Sequence, residues 1–407
     1  MVHDEDALRT RTAGEWKALL QARRSGSGVW TWREWVLPEI TDEDIVSTGE
    51  GRTPLVEAAR LGREWGMRLW VKQCGTSHTG SFKDLGMTVL VSAVRRGIRA
   101  GDLDVRAIGC ASTGDTSAAL AAYGALAEIP VCVLLPKGRV STAQLVQPLA
   151  HGARVIVLDT DFDGCMRIMR ELARRGLLYL ANSMNPLRIE GQKTVAFEIA
   201  EAMGWDVPEW VVLPSGNLGN SAALHAGFSL LLGLGLTQRM PRLCVAQAER
   251  ANPMYRAWQS GARTVAPVAP GHTLASAIQI GAPVSAPRAL RALAEMNGVV
   301  EQATEEELAD ACALADRAGL YTCPQTGVAL ACARKLRARG VIAGSHRVVV
   351  VATAHGLKFT EQKLGYHQGT LELGGTPALH RNVPVELPAD VERVADVVLA
   401  PSRELTR

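Results

Sequence analysis

Lys83 lies in the segment His78-Thr-Gly-Ser-Phe-Lys83, between two apolar runs. Leu69-Trp-Val-Lys-Gln-Cys74 reads as a strand and Gly75-Thr-Ser-His-Thr-Gly80 as a loop. Ser81-Phe-Lys-Asp84 then opens an apolar helix that runs through Val94. Ser81 and Asp84 have the S-x-x-D spacing of a capping box. That spacing puts Lys83 in the first helical turn, where the backbone dipole repels a cation. Repulsion and burial both lower a lysine's pKa. A neutral amine is what a Schiff base with a carbonyl cofactor requires. The competing reading is an ordinary solvated lysine, and the rest of the chain decides between them.

Doubly wound sheets bind ligands beyond the carboxyl ends of their strands, and four further loops of that kind are chemically dense. Ala111-Ser-Thr-Gly-Asp-Thr-Ser117 offers Ser112, Thr113, Asp115 and Thr116 at a helix start, where backbone N–H groups suit a substrate carboxylate. Plain helix capping is the alternative there. Pro214-Ser-Gly-Asn-Leu-Gly-Asn220 follows an apolar strand and has the glycines and asparagines of a phosphate cradle. It is neither a P-loop nor a dinucleotide fingerprint. Ala352-Thr-Ala-His-Gly-Leu-Lys358 offers Thr353 as a neutral partner for a ring nitrogen, while His355 reads as structural. In Ala181-Asn-Ser-Met-Asn-Pro-Leu-Arg188, Arg188 provides a phosphate fork with Asn182 and Ser183 as neutral donors; a salt bridge from Arg188 to Glu190 is the other reading.

The elements that must position these loops alternate. Strands are expected at 105–110, 131–135, 154–158, 177–180, 210–213, 243–246 and 347–351, with helices at 115–127, 142–150, 163–174 and from about 221. Solidly apolar strands separated by helices indicate parallel sheets covered on both faces, hence doubly wound α/β layers. The expected organisation is an N-terminal arm (1–48), a large domain (49–89 and 186–367), a small domain (90–185) and an irregular, proline-bearing C-terminal tail (368–407). The arm carries Trp30, Trp32 and Trp35, too much aromatic area to leave in water, so it should dock on the body or on a partner subunit.

Composition excludes several classes. The chain has 407 residues, 47% hydrophobic and 21% charged, with a formal net charge of +3. That charge is scattered, and no dense basic face points to nucleic acid. No pair of the eight cysteines has C-x-x-C spacing, so neither a zinc nor a thioredoxin motif is present; they read as buried reduced thiols of a cytoplasmic protein. No metal site is expected. The acidic start is neither a signal nor a transit peptide, and no stretch nears the roughly 20 apolar residues of a membrane span.

Several segments together resemble threonine synthase of the plant type, a fold-type II pyridoxal-phosphate enzyme related to the tryptophan synthase β subunit. They are His78–Met87, Cys110–Leu120, Ala143–Pro148, Asp159–Cys165, Leu187–Thr194, Thr353–Phe359 and Gly28-Val-Trp30. The likeness spans about 26–367. It implies two doubly wound sheet domains with pyridoxal 5′-phosphate in the cleft between them, and a homodimer. It implies that Lys83 carries the cofactor as a Schiff base and serves in proton transfer. Gly216, Asn217, Leu218, Gly219 and Asn220 would hold the cofactor phosphate, and Thr353 the pyridine nitrogen. Asp115 would lie beside the phenolic oxygen. Ser112, Thr113 and Thr116 would take the substrate carboxylate; Asn182, Ser183 and Arg188 would take its phosphate. The implied reaction converts O-phospho-L-homoserine and water to L-threonine and phosphate. A cysteate synthase using O-phosphoserine and sulfite is the nearest rival on the same scaffold, and a silent ligand-sensing relative the rival from another class. Ser215 departs from the plant pattern, which has Gly there, and the short arm leaves activation by S-adenosylmethionine unimplied.

Overall fold

The computed structural model describes residues 4–23, 26–112, 114–138, 142–375 and 377–399. Two sheets organise the chain. The larger has six strands in the order β1 (Leu55–Glu57), β2 (Arg68–Gln73), β10 (Arg347–Ala352), β7 (Trp210–Pro214), β8 (Arg242–Ala248), β9 (Val299–Ala303). All its pairings are parallel except the short edge pair β1–β2. The smaller sheet is parallel throughout, in the order β5 (Arg154–Leu158), β4 (Val131–Pro136), β3 (Ile108–Ala111), β6 (Tyr179–Leu180). The apolar runs fall on central strands: every residue of β7 and β3 is buried. Those strands can be apolar on both sides because helices cover both faces.

Two helices join the sheets. Lys83–Ala100 packs against Pro186–Gln192 at a distance set by glycines. A Cβ at Gly191 would lie 1.7 Å from the Leu85 carbonyl oxygen, and one at Gly86 would lie 2.8 Å from that of Arg188. The backbone approach that brings Lys83 and Arg188 together is therefore open only to glycine at these two positions.

The arm docks on the body. Trp32 stacks on Trp35 at 5.4 Å, and both rings meet Phe197 of the helix Thr194–Ala202. Trp30 Nε1 donates to Thr88 Oγ1 at 2.8 Å, on the lysine-bearing helix. The tail departs from the irregular segment expected: Val391–Leu399 is a helix. Prolines break the chain before it, but the nine residues of the helix contain none, and their valines recur on one face.

Candidate active site

The loop before Lys83 is shaped by Asp84, and not as the capping box expected from sequence. Lys83 is the first residue of its helix, with Phe82 in the N-cap position and no side-chain cap. Asp84 turns back instead, accepting from Thr79 N at 2.7 Å and from Thr79 Oγ1 at 2.5 Å. Closing the loop engages both carboxylate oxygens, whereas a capping box would use one. Burial pushes the Asp84 carboxyl up to about 7 against those hydrogen bonds. Ser81 Oγ accepts from Lys83 N at 3.4 Å.

The same loop is stitched to the end of β10. Phe82 N donates to Thr353 O and His355 N donates to Gly80 O, each at 2.9 Å, and Ser81 bridges Ala354. Thr353 and Lys83 therefore share one rigid platform. Thr353 is buried; its N–H donates to Thr326 Oγ1 at 3.3 Å, and its Oγ1 lies 3.6 Å from Cys323 Sγ. His355 Nδ1 accepts from Leu357 N at 3.2 Å and its ring packs edge-on to Tyr321, which is a structural role.

Among the described residues Lys83 Nζ has no hydrogen-bond partner; it lies 3.8 Å from the Phe82 ring centroid. Its pKa is pulled down to about 7, first by burial and then by the Arg188 guanidinium, with Asp115 and Cys323 opposing. Arg188 is 2% exposed. Among the described residues its hydrogen bonding is one long bond, from Nη1 to Ala181 O at 3.4 Å, and Nε has no partner. Glu190, its partner in the other reading, pairs with Lys193. Burial lowers the Arg188 pKa to about 10. A guanidinium buried without a carboxylate is costly unless an anion completes it.

The turn after β7 carries the glycines and asparagines expected of a phosphate cradle. Leu218 adopts the left-handed region at φ 65° and ends the turn where the helix Gly219–Gly233 begins. Gly216 faces Ile278, whose Cα would lie 2.8 Å from an added Cβ. Asn217 O accepts from Ser285 N at 3.1 Å. Asn220 is buried, and neither end of its amide has a partner. Ser215 does not point a spare hydroxyl at the cradle: its Oγ bonds Leu213 O and shares a hydrogen bond with Ser221. The orphaned Asn220 amide beside a helix N-terminus, together with the depressed amine, fits an aldehyde cofactor that carries a phosphate.

Around β3, Asp115 starts the helix Asp115–Leu126 and its Oδ1 lies 3.3 Å from Lys358 Nζ. Ser112 Oγ accepts from Gly114 N at 3.3 Å. Thr116 is partly buried on the first turn of that helix; Thr113 lies outside the described residues. Asn182 spends its amide on the backbone of Ala111, accepting from N at 3.1 Å and donating to O at 2.9 Å. It fixes the end of β3 and keeps one N–H for the cleft. Ser183 follows it, half-buried. Three side chains were not singled out from sequence. Cys323 and Thr326 sit beside Thr353, and Gln325 is buried with both amide atoms unpartnered. The signal available for them was the Cys-Pro-Gln-Thr-Gly run at a helix start.

Residues 46–354 match the family described as pyridoxal-phosphate dependent enzymes. The chain is 52% identical over 97% of its length to threonine synthase 2, chloroplastic, of Arabidopsis thaliana, covering 78% of that protein. It is 39% identical to threonine synthase of Methanocaldococcus jannaschii, over 88% of this chain and 86% of that one. In structure it resembles threonine synthase from Escherichia coli (TM-score 0.68, 23% identity, 95% of this chain and 86% of that one). It also resembles maize serine racemase (TM-score 0.67, 15% identity, 84% and 98%); these two likenesses speak for the fold. With a family match over three quarters of its length and close relatives along nearly all of it, the chain belongs to the pyridoxal-phosphate dependent enzymes of fold type II, in the threonine synthase branch.

Proposed function

We infer that this chain is a threonine synthase, a carbon–oxygen lyase that converts O-phospho-L-homoserine and water to L-threonine and phosphate. The observation that carries the reading is the 52% identity across 97% of the chain. It is supported by a lysine with a depressed pKa facing a buried, unneutralised arginine.

The cofactor, when bound, supplies an electron sink for carbanion chemistry. The chain's own residues do the rest. Lys83 Nζ titrates near neutrality, so one amine can both take and return a proton at working pH. Arg188 offers a desolvated positive charge, which binds a dianionic phosphate and favours its departure as charge develops. Asn182 holds the end of β3, next to which Ser112 and Thr116 would take a substrate carboxylate. Gly216 to Asn220 would grip the cofactor phosphate and Thr353 Oγ1 the ring nitrogen. Asp115 would face the phenolic oxygen.

Around this site we propose the arm, large domain, small domain and tail boundaries given by sequence. The four-stranded layer would close over the substrate and exclude water. A homodimer rests on the family resemblance. Eight free thiols, seven of them buried, favour a reducing compartment, here read as the cytoplasm. No helix among the described residues is long and apolar enough to cross a membrane.

The test is phosphate release and threonine formation from O-phosphohomoserine, with Lys83→Ala as control. Wild type should yield both products in equal amount and the variant neither. Turnover of O-phosphoserine with sulfite, and none of O-phosphohomoserine, would overturn the substrate while keeping the scaffold.

A further inference from the structure

Lys358 belongs to the short 3-10 helix Gly356–Phe359 that follows β10, on the six-stranded side of the cleft. Its ammonium reaches three acceptors. One is Thr79 O at 2.9 Å, in the loop before Lys83. The second is Gln147 Oε1 at 2.6 Å, on the helix Thr142–Ala150. The third is Asp115 Oδ1 at 3.3 Å, at the start of Asp115–Leu126. The last two helices flank the four-stranded sheet. Gln147 closes the figure by donating from Nε2 to the same Thr79 carbonyl at 3.1 Å. Two of these contacts are hydrogen bonds, to Thr79 O and Gln147 Oε1, and the Asp115 contact is an ion pair. Gly80, at φ 80°, leaves room for the lysine stem: an added Cβ would lie 3.1 Å from Lys358 Cδ.

Two properties of this contact exceed ordinary surface pairing. Both side chains of the Asp115–Lys358 pair are largely buried, at 9% and 15% exposure. A carboxylate at such a site needs a countercharge. Among the described residues Lys358 is the only cation within ion-pair distance of Asp115; Lys83 interacts with it across the cleft. Lys358 also makes the only ion pair among the described residues that joins the end of β10 to the four-stranded layer.

We propose that Lys358 is a positioning residue that latches the four-stranded layer onto the Lys83 loop and fixes the place of the Asp115 carboxylate. This rests on the reading of Asp115 as the residue facing the cofactor's phenolic oxygen. Asp115 acts on that oxygen, and Lys358 acts through Asp115 and Gln147. Docking of the layer and placement of the Asp115 carboxylate are then one event, because the same ammonium serves both.

The experiment uses the holoenzyme and four variants: Lys358→Met, Lys358→Gln, Asp115→Asn and the double Lys358→Met/Asp115→Asn. Cofactor absorbance is read as the ratio of the long- and short-wavelength bands. Backbone hydrogen exchange is read over 115–126 and 142–150, and kcat/KM is measured alongside. Lys358→Met should lower kcat/KM about tenfold, shift the band ratio, and speed exchange in both helices. In the Asp115→Asn background the same Lys358→Met change should leave the band ratio unmoved, because no charge remains to be left alone. Wild-type bands and exchange in Lys358→Met would overturn the proposal, as would equal, additive shifts in both backgrounds. If Lys358→Met does not fold, Lys358→Gln keeps the hydrogen bonds and loses the charge, and must show the same band shift. Absorbance and exchange need no substrate, so the proposal can stand if another phospho-amino acid proves to be the substrate, and can fail while threonine is made.

Discussion

Lys72 and Lys83 are eleven residues apart and opposite in their surroundings. Lys72, on β2, is 1% exposed and fully engaged: Nζ bonds Glu198 Oε2 at 2.6 Å and Thr53 O at 2.5 Å. Glu198 in turn accepts from Arg52 N at 2.7 Å and Thr53 N at 3.1 Å. Its carboxylate ties the Arg52–Thr53 backbone to β2 through the Lys72 ammonium. Lys83 faces an aromatic ring and a repelling arginine and has no hydrogen-bond acceptor among the described residues. A buried ammonium with a dedicated carboxylate is a fastener; one held beside a second cation is an amine poised to lose its proton. The arginines divide the same way. Arg347 is clasped by Glu209 and Asp206, whereas Arg188 has one long bond to a carbonyl.

The largest effect should come from removing the reactive lysine. Lys83→Met should cut kcat by roughly 10³-fold or more, since nucleophile and proton carrier are lost together. It should also stabilise the cofactor-free protein, with a definite pH signature. The folded-state pKa of Lys83, about 7, lies below its unfolded value. The folded chain therefore binds fewer protons than the unfolded one between about pH 7 and pH 10. The cost of the buried charge is fully present below pH 7 and disappears as pH rises through the unfolded pKa. Denaturant melts at pH 6 should show the variant more stable by roughly 2–4 kcal/mol, and melts above pH 10 no difference. A variant less stable at pH 6 would place Lys83 with Lys72 as a fastener, and the contrast would be broken.

The clamp should behave the other way. Glu198→Ala leaves the Lys72 ammonium buried and two backbone N–H groups unpaired, a loss of roughly 3–5 kcal/mol. Urea midpoints measure it. Cofactor absorbance of the folded fraction should stay unchanged, because the Glu198 carboxylate bonds Arg52, Thr53 and Lys72 among the described residues, none of them in the cleft loops.

Sequence carried the reactive half of this contrast and almost none of the structural half. The loops at strand ends stand out because their glycines, hydroxyls and amides interrupt apolar runs, and a strand-to-helix junction needs a short polar turn whatever it binds. The central strands were legible because burial on both faces makes them solidly apolar. The edges were not: Leu55-Val-Glu57 is three residues long and half exposed, and Val299-Val-Glu-Gln-Ala303 mixes polar with apolar. Lys72 inside a strand carries no mark of Glu198, which lies 126 positions further on. The Ser81–Asp84 spacing read as a capping box that the structure does not form, because Asp84 had two donors in Thr79 and took them. Arg188 as a cause of the lysine's depressed pKa was invisible as well, since the contact depends on glycines at 86 and 191 that let two helices touch.

The smallest effect sharpens the contrast most, because it separates burial from charge. Burial is the larger cause of the Lys83 shift and Arg188 the second. Reductive methylation of the cofactor-free protein, followed at Lys83 by mass spectrometry across a pH series, should show a midpoint near 7. Arg188→Met keeps the side-chain bulk and removes the charge, so the midpoint should rise, by roughly 0.5–1 unit, equivalent to about 1 kcal/mol. It should not reach an ordinary lysine's value, since the desolvating walls are untouched. A midpoint that returns fully to about 10 would make Arg188 the whole cause, and one that does not move would make it irrelevant. An intermediate rise means that the arginine which would receive the substrate phosphate also tunes the amine. An anion seated on Arg188 would then cancel that repulsion and raise the lysine's proton affinity when substrate arrives, which inorganic phosphate added to the same methylation series would reveal as an upward shift in wild type and none in Arg188→Met.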